Sequence, residues 1–300
     1  MGALDGRIAI ITGAGRGLGR EHALLFAAEG AKVVVNDLGG APDGSGGDVG
    51  PAQEVVDEII AMGGQAVANT DDVADWEGAQ RLVNTAIEVF GDLNVLVNNA
   101  GILRDRMLAN MSEAEWDAIM RVHLKGHFLP TRFAANYWRD QVKAGKTVKA
   151  SIVNTSSTSG LFSNPGQANY GAAKSGIATF TEIIDKELER YGVRANAISP
   201  SALTRLTAPL HAARGNDITI KADEFDSRDP ANVSPFVAYL ASENCPIHGR
   251  NFFVQGGAVY LFHPWAIIDK IETDHRWSLD ELETQAARFA DVPFTLNKPY

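Results

Sequence analysis

The amino-acid sequence predicts an α/β fold: a single doubly wound domain with a seven-stranded parallel sheet, helices on both faces, and a C-terminal extension. Short runs rich in β-branched residues alternate with longer amphipathic segments, which is the pattern of successive βαβ units. Glycine follows several of the amphipathic segments, where it is typical of a helix end. By length alone the 300 residues allow one or two domains, and an apolar fraction of 45% is enough for one substantial core.

The individual elements follow from these patterns in chain order. Strands are predicted over residues 7–12, 32–37, 66–70, 94–98, 151–155, 194–199 and 251–254. Helices are predicted over residues 18–29, 52–62, 76–90, 112–139, 169–191 and 230–242. We interpret four glycines as helix stops, because glycine adopts the left-handed conformation without a steric penalty: Gly30, Gly63, Gly91 and Gly192.

Three segments do not fit this alternation. Residues 38–50 form an unusually glycine-rich loop, for which a flexible surface excursion is at least as good an interpretation as contact with a cofactor. Residues 206–229 are polar and poorly periodic, and we predict a lid over the substrate there. Ser278 to Glu281 has the pattern of a helix capping box. We therefore predict one domain over residues 1–262 and an extension over residues 263–300 that packs on the same domain or on a neighbouring subunit.

Charge and cysteine content argue against several classes of protein. The net charge of −10 disfavours nonspecific binding to nucleic acid or to an anionic membrane, because both surfaces are negatively charged. Cys245 is the only cysteine, which excludes an intramolecular disulfide and a cysteine-rich metal site and fits a reducing compartment. The histidines show no spacing typical of zinc ligands, so no metal is expected.

A cytoplasmic location is expected from the N-terminal sequence. Strand-like residues begin within a few positions of Met1, and no signal peptide is visible. No apolar run approaches the roughly eighteen residues that a membrane span requires.

The first predicted strand leads into a glycine-rich turn, Thr12-Gly13-Ala14-Gly15-Arg16-Gly17-Leu18-Gly19. Such a turn lets the backbone approach a pyrophosphate, and the following helix presents N–H groups and the positive end of its dipole. The spacing differs from G-x-G-x-x-G, and the turn by itself is equally compatible with a structural role. The residues that we predict to contact a dinucleotide here are Gly13, Arg16, Gly17, Leu18 and Gly19.

Asp37 ends the second predicted strand, at the position where a carboxylate accepts hydrogen bonds from the adenosine ribose hydroxyls. The same carboxylate would repel a 2′-phosphate, so NAD is favoured over NADP. Arg16 is the one residue here whose charge could instead favour NADP. We include the adjacent Leu38 in the predicted cofactor site. Asp72 and Val73 follow the third strand and would bracket the adenine.

Asn98 to Gly101 ends the fourth predicted strand with small and polar residues. There Asn99, Ala100 and Gly101 would allow the backbone to approach the nicotinamide ribose. As an isolated tetrapeptide the segment is equally compatible with a simple turn.

Tyr170, Lys174 and Ser157 form a candidate proton-transfer site. Four residues make one helical turn, so the phenol and the ammonium project from the same helix face. A nearby cation favours phenolate and would bring tyrosine, with an ordinary pKa of about 10, towards the range of a working base. Ser157, thirteen residues upstream, can orient an alcohol or carbonyl oxygen. Because Tyr-x-x-x-Lys also occurs by chance in many helices, the assignment depends on the neighbouring motifs.

Together, the turn at residues 12–19, Asn98 to Gly101, Ser157, Tyr170 and Lys174 resemble the short-chain dehydrogenase/reductase family in order and spacing. The resemblance implies a Rossmann-type domain, a homodimer or homotetramer, and hydride transfer between NAD(P) and a secondary alcohol or ketone. It also implies that the tyrosine is the acid/base and that the serine binds the substrate oxygen. The lysine would lower the tyrosine pKa and hold the nicotinamide ribose.

A narrower resemblance extends over almost the whole chain, to the (3R)-hydroxyacyl-CoA dehydrogenase region of type 2 peroxisomal multifunctional enzymes. The hydratase and sterol-carrier modules of those enzymes have no match here, so the resemblance implies a free-standing, bacterial counterpart. The segments that carry it are residues 35–40, 98–106, 122–126, 166–170, 278–290 and 297–299.

His123 departs from the general family pattern. Most members carry an asparagine there, which kinks a helix and anchors a water in the proton relay, whereas the narrower group shares the histidine. A catalytic relay role for His123 and a helix histidine bonded to the backbone are equally good interpretations.

A second departure lies between Pro200 and Arg205. The family usually has threonine at the position of Arg205. We therefore predict that Thr204 forms the hydrogen bond to the nicotinamide carboxamide, and that Pro200 and the backbone of Leu203 contribute to the same part of the site.

These observations predict an NAD-dependent oxidoreductase that interconverts a secondary alcohol and a ketone, with a 3-hydroxyacyl-CoA as the substrate implied by the narrower resemblance. Arg104, Arg106 or Arg205 could pair with CoA phosphates, although a solvated surface charge also explains each. A hydroxysteroid dehydrogenase with the same mechanism is an alternative. An NAD-binding sensor or structural subunit without catalysis is an alternative of another class, which the intact triad of candidate residues disfavours.

Overall fold

The structure is a computed structural model that describes residues 2–208, 225–263 and 265–292. Contacts within the chain divide it into two compact units, Met1–Leu261 and Phe262–Tyr300. Most of the predicted lid, at residues 209–224, and the end of the extension, at residues 293–300, lie outside the described residues.

One sheet runs through the first unit. Its strands are β1 Ile8–Thr12, β2 Lys32–Asn36, β3 Gln65–Asn69, β4 Val95–Asn98, β5 Ala150–Thr155, β6 Val193–Ser201, β7 Asn251–Gln255 and β8 Ala258–Leu261. Their spatial order is β3-β2-β1-β4-β5-β6-β7-β8, and β1 to β7 are parallel. The order reverses at β1, which pairs with β2 on one side and with β4 on the other. The predicted doubly wound parallel sheet is confirmed.

The sheet contains one strand more than predicted. β8 pairs antiparallel with β7 across a tight turn in which Gly256 has a φ of 52°. No residue of β8 is fully buried, so this strand lacks the buried apolar run by which the other strands are recognised. Its position depends on the edge that β7 offers for pairing.

Helices cover the sheet on both faces, as predicted. Those of the first unit are α1 Gly17–Ala28, α2 Gly50–Ala61, α3 Trp76–Phe90, α4 Glu113–Ile119, α5 Gly126–Lys143, α6 Thr158–Leu161, α7 Ala168–Leu188 and α8 Ser234–Ala241. Short 3₁₀ turns lie at Leu108–Asn110, Glu189–Tyr191 and Pro230–Val233. The four glycines predicted to stop helices all have a positive φ, as expected. Nowhere in the described parts of the chain is a helix both long and apolar enough to cross a membrane.

The helix predicted over residues 112–139 is interrupted. A π-helix, Met120–Lys125, separates α4 from α5 and carries His123. Pro130 lies inside α5, where it cannot donate a backbone hydrogen bond and crowds the carbonyl four residues earlier, at Gly126. Pro130 therefore weakens the regular helix just after the interruption, and such π-turns are frequent at functional sites.

The central strands are buried on both faces because successive side chains alternate between two cores. Ile11 and Val35 pack with α1, α2 and α8 in one cluster. Ile10, Val34 and Leu96 pack with α3, α5 and α7 in the other. This arrangement leaves the carboxyl ends of the parallel strands free to form a cleft.

The second unit contains helix α9, Leu279–Gln285, and a 3₁₀ turn, Ala287–Asp291. Its predicted capping box is confirmed: Ser278 Oγ accepts from the Glu281 N–H at 3.3 Å, and Glu281 Oε2 accepts from the Ser278 N–H at 2.8 Å. Arg288 donates to Asp269 Oδ1 at 2.6 Å and joins the two ends of this unit.

Candidate active site

A cleft of about 270 Å³ lies at the carboxyl ends of the parallel strands. It is bordered by the segments that follow β1 to β6. All of the site residues predicted from the sequence line it except Gly19 and Leu203. The chain therefore brings together, in one place, groups that are separated by up to about two hundred positions in the sequence.

The glycine turn forms one wall of the cleft. Gly13 and Gly17 have φ angles of 63° and 54°, in the left-handed region that favours glycine. A Cβ on Gly13 would lie 2.7 Å from the Ala100 Cα, and one on Gly19 would overlap the Gly13 carbonyl oxygen. Gly19 thus lets α1 pack against the turn and does not itself face the cleft. Asn99 closes the turn by donating to the carbonyl oxygens of Thr12 and Gly13 at 3.0 and 3.1 Å.

Asp37 lies at the end of β2 with both carboxylate oxygens engaged by the backbone. Oδ2 accepts from the Gly15 N–H at 2.8 Å, and Oδ1 accepts from the Gly39 N–H at 2.7 Å. Each oxygen has a second acceptor site for a ligand hydroxyl. The carboxylate is therefore fixed in orientation and still able to bind.

The next strand end, after β3, places Asp72 and Val73 on the cleft. Asp72 Oδ2 forms an ion pair with Arg121 at 2.5 Å, and Oδ1 accepts from the Ala74 N–H at 2.8 Å. Arg121, from the π-helix, was not predicted from the sequence. Its only signal there is its position two residues before His123.

Tyr170 and Lys174 lie one turn apart near the start of α7, as the spacing predicted. Lys174 is 2% exposed, its Nζ donates to the Thr155 carbonyl at 2.6 Å and lies 5.5 Å from the centre of the Tyr170 ring. Ser157 caps α6 by accepting from the Ser159 N–H at 3.1 Å. All three side chains face the cleft.

The pKa values of this pair differ from the expectation that Lys174 lowers the pKa of Tyr170. Burial raises the pKa of Tyr170 to about 12; the Ser157 hydrogen bond opposes this change and the Asp105 charge adds to it. Burial also lowers the pKa of Lys174 to about 7. Loss of water destabilises the charged form of each group, and burial is the main cause of both shifts.

His123 is buried within the π-helix and packs edge-on against the Tyr170 ring, with 5.1 Å between ring centres. Its Nε2 lies 2.7 Å from the Ile102 carbonyl oxygen and 3.2 Å from the Ile102 nitrogen. Burial and the nearby Lys174 charge hold the pKa of His123 well below its usual range, so the ring is neutral. The bond to Ile102 agrees with the interpretation of His123 as a helix histidine bonded to the backbone. The relay role of His123 is still a prediction.

Pro200, near the end of β6, and Thr204, just after it, line the cleft. The Thr204 N–H donates to Thr207 Oγ1 at 2.8 Å, and the Leu203 N–H donates to the Arg228 carbonyl at 2.7 Å. Leu203 therefore contributes to the shape of this segment without reaching the cleft surface.

The glycine-rich loop, residues 38–50, borders the cleft. The sequence alone did not distinguish this position from a flexible surface excursion. The Leu103 N–H donates to the Pro42 carbonyl at 3.1 Å, Arg104 Nε donates to the Asp43 carbonyl at 2.8 Å, and Arg205 donates to the Gly40 carbonyl at 3.2 Å. Two of the three arginines considered for CoA phosphates thus bind this loop. The third, Arg106, pairs with Glu115 at 3.2 Å.

Sequence reasoning missed several cleft residues. Most are neighbours of predicted ones and show no pattern of their own. They are Asn36, Gly40, Ala41, Gly44, Asp71, Ile102, Leu103, Arg121, Val122, Thr155, Ser156, Ala202, Leu206 and Thr207. Within the described parts of the chain, no group of three or more His, Cys, Asp or Glu side chains could hold a metal ion.

Comparison with known proteins agrees with this geometry. Residues 7–215 match the family described as short chain dehydrogenase. The hydroxyacyl-CoA dehydrogenase ChsB1 of Mycobacterium tuberculosis is 46% identical, over 87% of this chain and 81% of its own length. The peroxisomal multifunctional enzyme type 2 of Drosophila melanogaster is 46% identical over 82% of this chain, which spans 38% of that longer protein. A crystal structure of a short chain dehydrogenase from Mycobacterium avium superposes with a TM-score of 0.85 at 52% identity, covering 97% of this chain and 96% of that one.

Proposed function

This chain belongs to the short-chain dehydrogenase family, and from that premise we propose that it is an NAD-dependent oxidoreductase that interconverts a 3-hydroxyacyl-CoA and the corresponding 3-ketoacyl-CoA. The family and the narrower resemblance noted in the sequence are both supported by the relatives found. The observation that carries the proposal is the convergence of Ser157, Tyr170 and Lys174 on the cleft that the glycine turn and Asp37 border.

The residues of the cleft fit a nicotinamide dinucleotide. The left-handed glycines present backbone to the cleft without side chains, as a pyrophosphate requires, and the N-terminus of α1 points towards it. Asp37 is oriented by two backbone N–H groups and keeps free acceptor sites for ribose hydroxyls. When bound, the cofactor would supply the hydride acceptor or donor.

We propose NAD over NADP because of Asp37. Its carboxylate would repel a 2′-phosphate at short range, where charge repulsion is strong in a partly dry site. Arg16 lines the same cleft and is exposed, so it offers only a solvent-screened attraction.

Tyr170 moves the proton. In alcohol oxidation the phenolate oxygen takes the hydroxyl proton of the substrate, while Ser157 Oγ donates a hydrogen bond to the oxygen that becomes the carbonyl. In ketone reduction the phenol returns that proton to the same oxygen. Since the pKa of Tyr170 is raised to about 12, the phenol form prevails at neutral pH, and oxidation should speed up as pH rises.

Lys174 contributes charge and position. Its ammonium is anchored on the Thr155 carbonyl beside the phenol ring, so it favours phenolate over phenol in the charged state. Burial, which lowers the pKa of Lys174 to about 7, makes that charge sensitive to pH and to any group that enters the cleft.

The proposal of an acyl-CoA substrate is supported by the name of one relative, a hydroxyacyl-CoA dehydrogenase, and by the narrower resemblance described in the sequence analysis. Arg104 and Arg205 use one donor each on the glycine-rich loop, and a guanidinium has five, so both can still meet phosphates. We further propose a cytoplasmic homodimer or homotetramer.

The test is an NADH-absorbance screen of chiral 3-hydroxyacyl-CoA esters beside a panel of hydroxysteroids, run with NAD and with NADP. Turnover of the CoA esters with NAD is expected, and it should weaken as ionic strength rises because CoA is highly charged. Faster turnover of steroids, without a salt dependence, would favour a hydroxysteroid dehydrogenase. Tight NAD binding without turnover of any alcohol would favour a non-catalytic sensor.

A further inference from the structure

Gln167 joins three segments that surround Tyr170. It is 5% exposed and stands at the start of α7, three residues before Tyr170. Its Oε1 accepts from Ser159 Oγ at 2.7 Å and from Asn164 Nδ2 at 2.8 Å, while its Nε2 donates to Asp105 Oδ2 at 2.8 Å. Both polar atoms of this amide are therefore engaged within the protein, which fixes the orientation of the side chain.

The bonds of Gln167 continue to the substrate-binding serine. Ser159, held by Gln167, donates its backbone N–H to Ser157 Oγ at 3.1 Å. Ser157 in turn acts on Tyr170 by lowering the pKa of its phenol, against the effect of burial. One connected path thus runs from Asp105 through Gln167 and Ser159 to the hydroxyl that orients the reacting oxygen.

Asp105 is the charged end of this path. It lies in the loop between β4 and α4, is partly buried, and has no hydrogen-bond partner for its buried Oδ1 among the described residues. Its sequence neighbours do not neutralise it, since Arg104 donates to the Asp43 carbonyl and Arg106 pairs with Glu115. A carboxylate without a cation beside it projects its charge onto its surroundings.

Gln167 holds Asp105 at the start of α7, three residues before Tyr170, and the Asp105 charge adds to the rise in the pKa of the phenol. Among the described residues, Lys174 from the same helix and the neutral His123 from the π-helix lie beside the phenol ring, and Ser157 and Asp105 act on the phenol from neighbouring segments. Asp105 is the one negative charge among these four groups. A negative charge near a phenol opposes formation of phenolate.

We propose that Asp105 and Gln167 are positioning residues of the proton-transfer site, in which Gln167 holds the Ser157 turn against the start of α7 and the Asp105 charge opposes loss of the phenol proton. This inference rests on the proposed function. Its consequence is a bias of the site towards the protonated phenol, which is the form that ketone reduction consumes.

The first variant is Asp105→Asn, which removes the charge but keeps an oxygen that can accept from Gln167. The rising alkaline limb of kcat/KM for alcohol oxidation should move to lower pH by roughly 0.5–1 unit, so that oxidation below the limb becomes about 3–10 times faster. The affinity for NADH should not change. A limb that stays in place would overturn the role of Asp105.

The second variant is Gln167→Leu, which keeps the charge but removes the bridge. We expect kcat to fall by about tenfold or more at every pH, because Ser157 loses its support, while NADH still binds with its original affinity. Undiminished kcat with NADH affinity intact would overturn the role of Gln167. A loss of NADH binding would show general disruption of α7 and would also count against a specific positioning role.

Asp185→Asn is the matched control. Asp185 is a buried carboxylate on α7, bonded to the Ala195 N–H and to His248 Nδ1, each at 2.9 Å, and it does not line the cleft. It should leave the pH limb unchanged. An equal shift in Asp185→Asn and Asp105→Asn would overturn the proposal, since the effect would then not depend on proximity to Tyr170.

A substrate-independent measurement separates failure of this inference from failure of the proposed function. If the unaltered enzyme turns over no hydroxyacyl-CoA, the proposed function fails. Ionisation of Tyr170 can then be followed as tyrosinate absorbance, with the signal of the Tyr170→Phe protein subtracted. The titration is run on the Asp105→Asn protein and on the protein with Asp105 unaltered. A lower midpoint in the variant would support the inference, and an identical midpoint would overturn it.

Discussion

His22 should make the fold unstable in acid. The residue lies on α1, is fully buried, and its Nδ1 is 2.8 Å from Ser234 Oγ, while its Nε2 has no partner among the described residues. Burial lowers the pKa of His22 from 6.5 to about 3. The folded protein therefore keeps this ring neutral at pH values where an unfolded chain would protonate it.

The direction and size of the stability change with pH follow from proton linkage. Below pH 6.5 the unfolded state takes up a proton that the folded state does not, so stability falls as pH decreases, until the folded pKa near 3 is passed. A difference of about 3.5 units corresponds to about 5 kcal/mol in total. At pH 5, about 2 kcal/mol of that stability has already been lost.

The perturbation is His22→Gln, which keeps a polar group of similar size and cannot titrate. Urea unfolding, followed by tryptophan fluorescence at pH 7.5 and pH 5, gives the change in free energy of unfolding for each protein. The unaltered protein should lose about 2 kcal/mol more than the variant between the two pH values. Repeating the titration at two protein concentrations separates subunit dissociation from unfolding.

His275→Gln is the control, because His275 is an exposed histidine of the second unit whose pKa is raised by Asp274 and Glu281. It should not reproduce the effect of His22→Gln. An equal loss of stability in the unaltered protein and in His22→Gln would refute the reasoning, since burial of the neutral ring would then not cause the loss of stability in acid.

Three further predictions concern the site. Tyr170→Phe should abolish turnover while NADH still binds, and normal turnover measured by NADH absorbance would contradict the role of the phenol. Asp37→Ala should raise kcat/KM for NADP relative to NAD by about tenfold or more, because the charge that repels the 2′-phosphate is removed; an unchanged ratio of the two constants would contradict that role. His123→Ala should lower kcat and alter its pH profile if the ring takes part in a proton relay, and an unchanged profile would leave His123 as a structural residue.

Much of the fold was predictable because its signals are local. The β-branched runs identified seven strands to within one or two residues, and the positive φ of Gly30, Gly63, Gly91 and Gly192 agrees with their predicted role as helix stops. The π-helix was not predicted, because the apolar pattern alone does not distinguish it from a continuous helix. β8 was missed because exposed side chains leave no periodic pattern.

The candidate site likewise has features that the sequence predicted and features that only the structure shows. The spacing of Tyr170 and Lys174 on one helix is a matter of helical geometry, and the sequence was sufficient for it. The direction of their pKa shifts was not predictable from spacing, because it depends on how much water the surrounding elements exclude. The position of the glycine-rich loop beside the cleft likewise depends on contacts with Leu103, Arg104 and Arg205, which are distant in the chain.

The sequence by itself determined the fold class, the family and the three residues proposed to move the proton, since short-range periodicity and motif spacing carry that information. Only the tertiary structure decided which groups surround the phenol: the Asp105 carboxylate, the Gln167 bridge and the neutral His123 ring. Their effects are electrostatic and steric and act over a few ångströms in space. Residues that are far apart in the chain acquire such proximity only when the strand ends and the helices that carry them are brought together.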